Sequence, residues 1–151
     1  VGLRGDAAGD KLNNIENLVG SEFNDILSGD NDRQVGNTMM GLGGNDWIRG
    51  NGGDDTLDGG TGDERLSGGR GSDIFVFQDG HGVDVVTDFS ADDPDEVIDL
   101  TAISAISDFE DLRDNHTAQV GTDVVINTGD GQIILPDTSL ETVLDSSNFI
   151  F

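Results

Sequence analysis

From residue 37 to residue 75 the chain sets an apolar side chain at every ninth position: Met39, Ile48, Leu57, Leu66 and Phe75. The residues between are mostly Gly, Asp, Asn, Thr and Ser, too glycine-rich and too sparsely apolar for a helix. One apolar residue per nine suits a strand of about four residues followed by a tight turn. In Asp55-Thr56-Leu57-Asp58, period-two alternation turns Leu57 inward and Thr56 and Asp58 outward. Beyond residue 83 the pattern changes: Val, Ile, Leu and Phe become denser and glycine sparser. Gln119–Ile126 and Gln132–Leu135 flank Thr128-Gly129-Asp130-Gly131 and predict a β-hairpin, and Asp108–Asn115 predicts one or two helical turns.

The same period governs acids and glycines. An acid or amide stands two residues before each of these apolar residues: Asn37, Asp46, Asp55, Glu64 and Asp73, with Asp25 an earlier member. Gly44, Gly53, Gly62 and Gly71 lie two residues before the last four of these, and Gly41, Gly50, Gly59 and Gly68 lie five before. Two nonapeptide units make one coil. Stacked coils predict an all-β fold, a parallel β-roll with two sheets and one thin row of core side chains. Every second unit then lies above the last, so Asn37, Asp55 and Asp73 line one edge of the roll and Asp46 and Glu64 the other.

Charge sharpens this picture. Seven Lys and Arg stand against 31 Asp and Glu, a net charge of −24. That balance argues against a nucleic-acid binder, which needs a basic patch. Carboxylates stacked about 4.8 Å apart repel by roughly 4 kcal/mol at an effective dielectric near 20. Glycine entropy opposes folding as well. A cation between the turns would relieve the repulsion, and carboxylates with glycine carbonyls are hard oxygen donors that suit Ca2+. Cysteine is absent, so no disulfide holds the chain together.

At Gly59-Gly60-Thr61-Gly62-Asp63-Glu64-Arg65-Leu66-Ser67 and Gly68-Gly69-Arg70-Gly71-Ser72-Asp73-Ile74-Phe75-Val76 the chain resembles the RTX (repeats-in-toxin) family, with its GGxGxDxUx nonapeptide. The resemblance implies that the sixth-position acid ligates Ca2+ through its side chain and that turn residues ligate through carbonyls. It carries over most firmly to Asp46, Asp55 and Asp73, with Asn37, Asp25 and Glu64 in the same phase. Gly41, Gly43, Gly50, Gly52, Gly59, Gly62, Gly68 and Gly71 are the turn residues it nominates. Three departures stand out. Glu64 is one methylene longer than Asp, so Asp63 is a candidate substitute. Asn37 is neutral and its turn, Asp32-Arg33-Gln34-Val35-Gly36, lacks most glycines. Leu42 replaces a glycine before Asp46.

The resemblance extends over nearly the whole chain. Gly82–Phe89 followed by Val97-Ile98-Asp99-Leu100 is similar to the GxDxIxDF…DxIDL segment after RTX repeats in secreted bacterial proteases and mannuronan epimerases, where it caps the roll. By that likeness Asp84 and Asp88 complete a last Ca2+ site. Asn14–Ser21 resembles the divergent first coil before RTX arrays, and Leu144–Phe151 resembles the C-terminal signal of type I secretion substrates, or a final strand packed on the cap. The expected organisation is divergent N-terminal coils over 1–40, regular repeats over 41–78 and a β-rich capping region over 79–151. The resemblance thus implies a Ca2+-dependent module at the C-terminal end of a larger bacterial protein, secreted to the extracellular space, with the type I secretion machinery as partner.

Other chemistry finds little support. No run of 18 apolar residues predicts a membrane span, and no HExxH, GxSxG or GK[ST] motif is present. This chain alone is not expected to be an enzyme. His81 lies in Gly80-His81-Gly82, a predicted turn, and is expected to be exposed. One feature points to a second ligand. Trp47, the only Trp, is predicted to face outward, with Arg49 on the same face and Arg65 beside it one coil on. An exposed ring beside two cations suits an extracellular polysaccharide that carries carboxylates; a plain Trp–Arg contact is the alternative.

Overall fold

The computed structural model of the chain describes residues 16–31, 35–93 and 95–151. Residues 1–15 of the predicted N-terminal coils and 32–34 of the predicted turn lie outside the described residues.

The period-nine segments form strands that alternate between two sheets. β1 (Asn17–Ser21), β3 (Thr38–Leu42), β5 (Thr56–Asp58), β7 (Ile74–Gln78), β9 (Val97–Ala102) and β13 (Phe149–Ile150) make one sheet, in that spatial order. β2 (Ile26–Ser28), β4 (Trp47–Gly52), β6 (Arg65–Arg70) and β8 (Val83–Val86) make the other, which β12 (Gln132–Leu135), β11 (Asp123–Asn127) and β10 (Thr117–Val120) extend. The coil strands pair in parallel, and where the repeat is regular the register advances by two nonapeptides, as in Met39↔Leu57↔Phe75 and Ile48↔Leu66.

The register fixes the core. Leu18, Met39, Leu57, Phe75, Ile98 and Phe149 follow one another across the first sheet, and Leu27, Ile48, Leu66 and Val86 across the second. All are buried, Met39, Ile48, Leu57, Leu66 and Phe75 completely. Each strand turns only one or two side chains inward, so the roll is thin, and every one of those side chains carries a large share of its stability.

β8 and β9 add a further parallel coil on β6 and β7, with steps longer than two nonapeptides at Leu66↔Val86 and Phe75↔Ile98. The GxDxIxDF-like segment therefore continues the roll, and antiparallel closure begins at β10–β12. The predicted hairpin forms from β11 and β12, but Gln119–Ile126 is not one strand: Gly121, at φ 67°, turns the chain so that β10 folds back on β11. The predicted helical turns appear as α1 (Phe109–Asp111) running into a wider turn over Leu112–His116, started by the Asp108 side chain accepting from Asp111 N–H. α2 (Leu140–Val143), capped by Ser139, leads to the C-terminal β13, which pairs with β9.

Candidate metal centre

Each acid or amide of the repeat stands at the start of a strand, and each is buried despite its polarity: Asp25, Asn37, Asp46, Asp55, Glu64, Asp73 and Asp84. They are joined across coils. Asp55 Oδ1 accepts the Asn37 N–H at 2.6 Å and Asp73 Oδ1 accepts the Asp55 N–H at 2.9 Å. On the other edge Asp46 Oδ1 accepts the Asp25 N–H and Asp84 Oδ1 accepts the Glu64 N–H, both at 2.8 Å. One carboxylate oxygen thus satisfies the backbone donor of the neighbouring coil, as a buried N–H requires. The ladder breaks at Glu64, one methylene longer than Asp: no bond joins its carboxylate to the Asp46 N–H, and both its oxygens are left without a partner.

The second oxygens are the informative ones. Asp46 Oδ2, Asp55 Oδ2 and both oxygens of Glu64 are buried without a hydrogen-bond partner, as is Asp58 Oδ1. Leaving such groups unpaired is costly. Glycines surround them for a steric reason. A Cβ at Gly50 would collide with Asp55 Oδ2 and the Gly68 carbonyl oxygen, and one at Gly41 with Asp46 Oδ2 and the Gly59 carbonyl oxygen. A Cβ at Gly59 would likewise collide with the Glu64 side chain, and one at Gly68 with Asp73 Oδ2. Gly62 and Gly71 take positive φ in the turns, while Gly43 and Gly52 are buried beside them.

Electrostatics agrees. Burial, and then the charges of Asp73, Asp30 and Asp54, push the Asp55 carboxyl up to about 7. Burial, and then the Asp84 carboxyl, push Glu64 up to about 9. Asp46 and Asp73 are raised mainly by burial. Among the described residues no three acidic, His or Cys side chains converge on one point. A metal here would be held by one carboxylate together with backbone carbonyls, an all-oxygen set that fits a hard cation. The residues present therefore fit Ca2+.

Other nominated acids differ. Asp25 Oδ2 accepts from both the backbone N–H and the hydroxyl of Ser21, at 2.7 and 2.8 Å. Asp88 accepts from Ser67 Oγ and Gly68 N–H. Asp63 is exposed and its Oδ1 accepts the Val83 N–H. Asn37 Oδ1 accepts the Asp30 N–H. His81 corrects its expectation: it is buried, and Asp84 Oδ2 lies 2.6 Å from its Nδ1.

Two features escaped sequence reading. Residues one before the acids form an outer ladder, in which Asn24 accepts the Asn45 N–H, Asn45 the Asp63 N–H and Asp54 the Ser72 N–H. Its signal was present as a second period-nine series. Glu96, buried and pushed up to about 7 by burial, shares a polar cavity of about 500 Å³ with Asp88 and Asp93. It lies outside the repeat phase, so no spacing flagged it.

Trp47 faces outward. It is 40% exposed, the Arg49 guanidinium carbon lies 4.2 Å from the ring centroid, and Arg65 is its register partner. The outward row crosses the whole sheet as Ile26, Trp47, Arg65, Val85, Ile134, Val125 and Ala118, without an acid.

Comparison with known proteins bears on the repeats. No curated protein sequence matches the chain. Among solved structures, the extracellular lipase LipA of Serratia marcescens superposes with a TM-score of 0.68 at 22% identity, a likeness of fold. That match covers 90% of this chain and 21% of the lipase, so the chain spans about a fifth of the lipase's length. The AlgE6R2 subunit of the Azotobacter vinelandii mannuronan C5-epimerase superposes with a TM-score of 0.65 at 26% identity, covering 89% of this chain and 91% of that subunit. Residues 13–33 and 40–75 match the RTX calcium-binding nonapeptide repeat in four copies. Residues 13–33 and 40–75 thus carry RTX calcium-binding repeats, and the fold they build is a parallel β-roll like that of the epimerase subunit.

Proposed function

We propose that the chain is a calcium-switched folding module that stays unfolded where Ca2+ is scarce, folds outside the cell, and so supports type I secretion and the stability of an attached protein. The observation that carries this reading is the set of buried carboxylate oxygens without partners at Asp46, Asp55 and Glu64. Their mutual repulsion and desolvation oppose the fold until a cation neutralises them. Bound Ca2+ supplies that positive charge and its affinity for oxygen. Asp46, Asp55, Asp73 and Glu64 would hold it with the neighbouring glycine carbonyls, and binding energy then becomes folding energy. Sites with dissociation constants on the order of 10⁻⁴–10⁻³ M suit an extracellular module. Among the described residues no helix is long and apolar enough to cross a membrane. The test is a CaCl₂ titration of the EDTA-treated chain followed by far-UV circular dichroism, with MgCl₂ as control. A cooperative gain of β signal with Ca2+ alone supports the reading; a chain fully folded in EDTA overturns it.

A second reading has its own support. The acid-free Trp47 row carries Arg65 and is flanked by Arg49, on a chain of net charge −24, which favours an extracellular polysaccharide bearing carboxylates. One solved relative belongs to a mannuronan epimerase. Under this reading Trp47→Ala abolishes retention on such a polysaccharide while Ca2+-induced folding persists, and an unmutated chain that is not retained ends the idea.

A further inference from the structure

His81 is a buried imidazole that the repeat pattern does not explain. It occupies the same place in its coil as Thr61 and Gly43 do in theirs. Gly44 N–H donates to the Thr61 carbonyl at 3.0 Å, and Gly62 N–H donates to the His81 carbonyl at 3.1 Å. Asp84, three residues on, likewise matches Asp46. Each uses Oδ1 to accept a backbone N–H from the adjacent coil, at 2.8 Å in both cases. The two acids part company at Oδ2. In Asp46 that oxygen is buried without a partner. In Asp84 it faces His81 Nδ1 at 2.6 Å. An ionised carboxylate only accepts, so Nδ1 carries the proton and donates.

The rest of the cradle also changes. Five residues before Asp46 stands Gly41, whose missing Cβ leaves room at the orphan oxygen; five before Asp84 stands Asp79. The far side of the ring belongs to the closing hairpin. His81 Nε2 lies 2.8 Å from Thr128 Oγ1, and the Thr128 side chain is buried in the turn between β11 and β12. With Nδ1 protonated, Nε2 accepts the Thr128 hydroxyl proton. Gly131 lets this turn approach, since a Cβ there would lie 2.8 Å from His81 Nε2. Phe77 packs against the ring at 5.3 Å between centroids. Glu64 N–H, Asp84, His81 and Thr128 thus form one buried chain of hydrogen bonds from roll to closing hairpin.

We propose that the His81 imidazole takes the place beside Asp84 that a cation takes beside Asp46 and Asp55, so that Asp84 latches the closing hairpin to the roll and holds no metal. The proposal rests on the calcium reading above. It sets the C-terminal limit of the ion row on this edge at Glu64.

The experiment counts Ca2+ bound per chain at saturation, by equilibrium dialysis of the full 151-residue chain. Unmutated protein is compared with Asp55→Asn and Asp84→Asn. Asp55→Asn points an amide nitrogen at the orphan position and loses one ion. In Asp84→Asn the amide still accepts the Glu64 N–H, the ring changes tautomer to accept from the new NH₂, and the ion count stays that of the unmutated chain. Loss of an ion from Asp84→Asn as from Asp55→Asn overturns this proposal alone, whereas an unmutated chain that binds no Ca2+ overturns the calcium reading with it. A second measurement needs no variant. Long-range ¹H–¹⁵N correlation spectra of the unmutated, Ca2+-saturated chain should show His81 in the Nδ1–H tautomer. A ring averaging between tautomers, as a solvent-exposed imidazole does, overturns the proposal.

Discussion

Acid should partly replace calcium in this fold. The perturbation is to chelate Ca2+ and then lower the pH. In the folded chain Asp55 is pushed up to about 7 from its ordinary value of 3.8, chiefly by burial. At about 1.4 kcal/mol per pKa unit, that rise of roughly three units corresponds to about 4 kcal/mol. A carboxyl whose folded pKa is raised stabilises the fold fully below its unfolded pKa, and that contribution is lost as pH rises through the folded value. The loss for Asp55 therefore runs from about pH 4 to about pH 7, and that for Glu64 extends to about pH 9. A domain of this size is stable by only about 5–15 kcal/mol, so ionising Asp55 alone without a cation removes a large part of it. The assay is far-UV circular dichroism and Trp47 fluorescence in EDTA between pH 9 and pH 4.5. The β signal should grow as pH falls, and saturating Ca2+ should flatten the profile. Asp55→Asn should lose the component centred near 7. A β signal in EDTA that stays constant, or that grows with rising pH, refutes the reasoning.

Leu57→Ala empties a fully buried position in a core one or two side chains deep, so it should destabilise the Ca2+-loaded roll by about 2–5 kcal/mol, read as a fall in melting temperature. Gly50→Ala drives a Cβ into Asp55 Oδ2 and the Gly68 carbonyl oxygen, so the Ca2+ midpoint for folding, read by circular dichroism, should rise by about tenfold or more. Glu64→Asp should restore the missing bond to the Asp46 N–H, worth about 1 kcal/mol, and so lower the Ca2+ midpoint about fivefold; a raised midpoint would show that the longer side chain serves the site.

The roll was legible because its physics repeats. An apolar residue every nine positions leaves only one inward row per sheet, and the same spacing makes Trp47 and Arg65 neighbours. The hairpin was legible in part, since alternation marks Val124 and Ile126 as inward but does not say that Gly121 reverses the chain. The final coil was hidden because its steps, Leu66 to Val86 and Phe75 to Ile98, leave the period: loops of different length intervene while Val86 and Ile98 still reach the inward rows. His81 was misread for a related reason. Flanking glycines mark a turn, but a turn on a roll can face the closing hairpin as well as solvent, and Thr128 lies 47 residues away.

Asp25, Asp46 and Asp84 are equivalent in the repeat, in line with Glu64 on one edge of the roll, and each is buried. Their chemistry differs because of the partner of a single oxygen. Ser21 closes Asp25, His81 closes Asp84, and nothing in the described residues closes Asp46. The place of His81 is held by Gly43 before Asp46 and by Gly52 before Asp55, which have no side chain to offer. The place of Ser21 is held by Leu42 and Asn51: the first is apolar, and the second donates instead to Ser28 Oγ and the Gly29 carbonyl. A repeat unit therefore keeps its strand and its ladder bond while a change outside the acid decides whether an ion is needed. Where the acid meets a hydroxyl or an imidazole, the coil closes on itself; where it meets neither, as at Asp46 and Asp55, the proposed cation would supply the closure. On the proposed calcium reading the dependence falls in the middle of the roll, between coils whose acids meet donors of the chain itself.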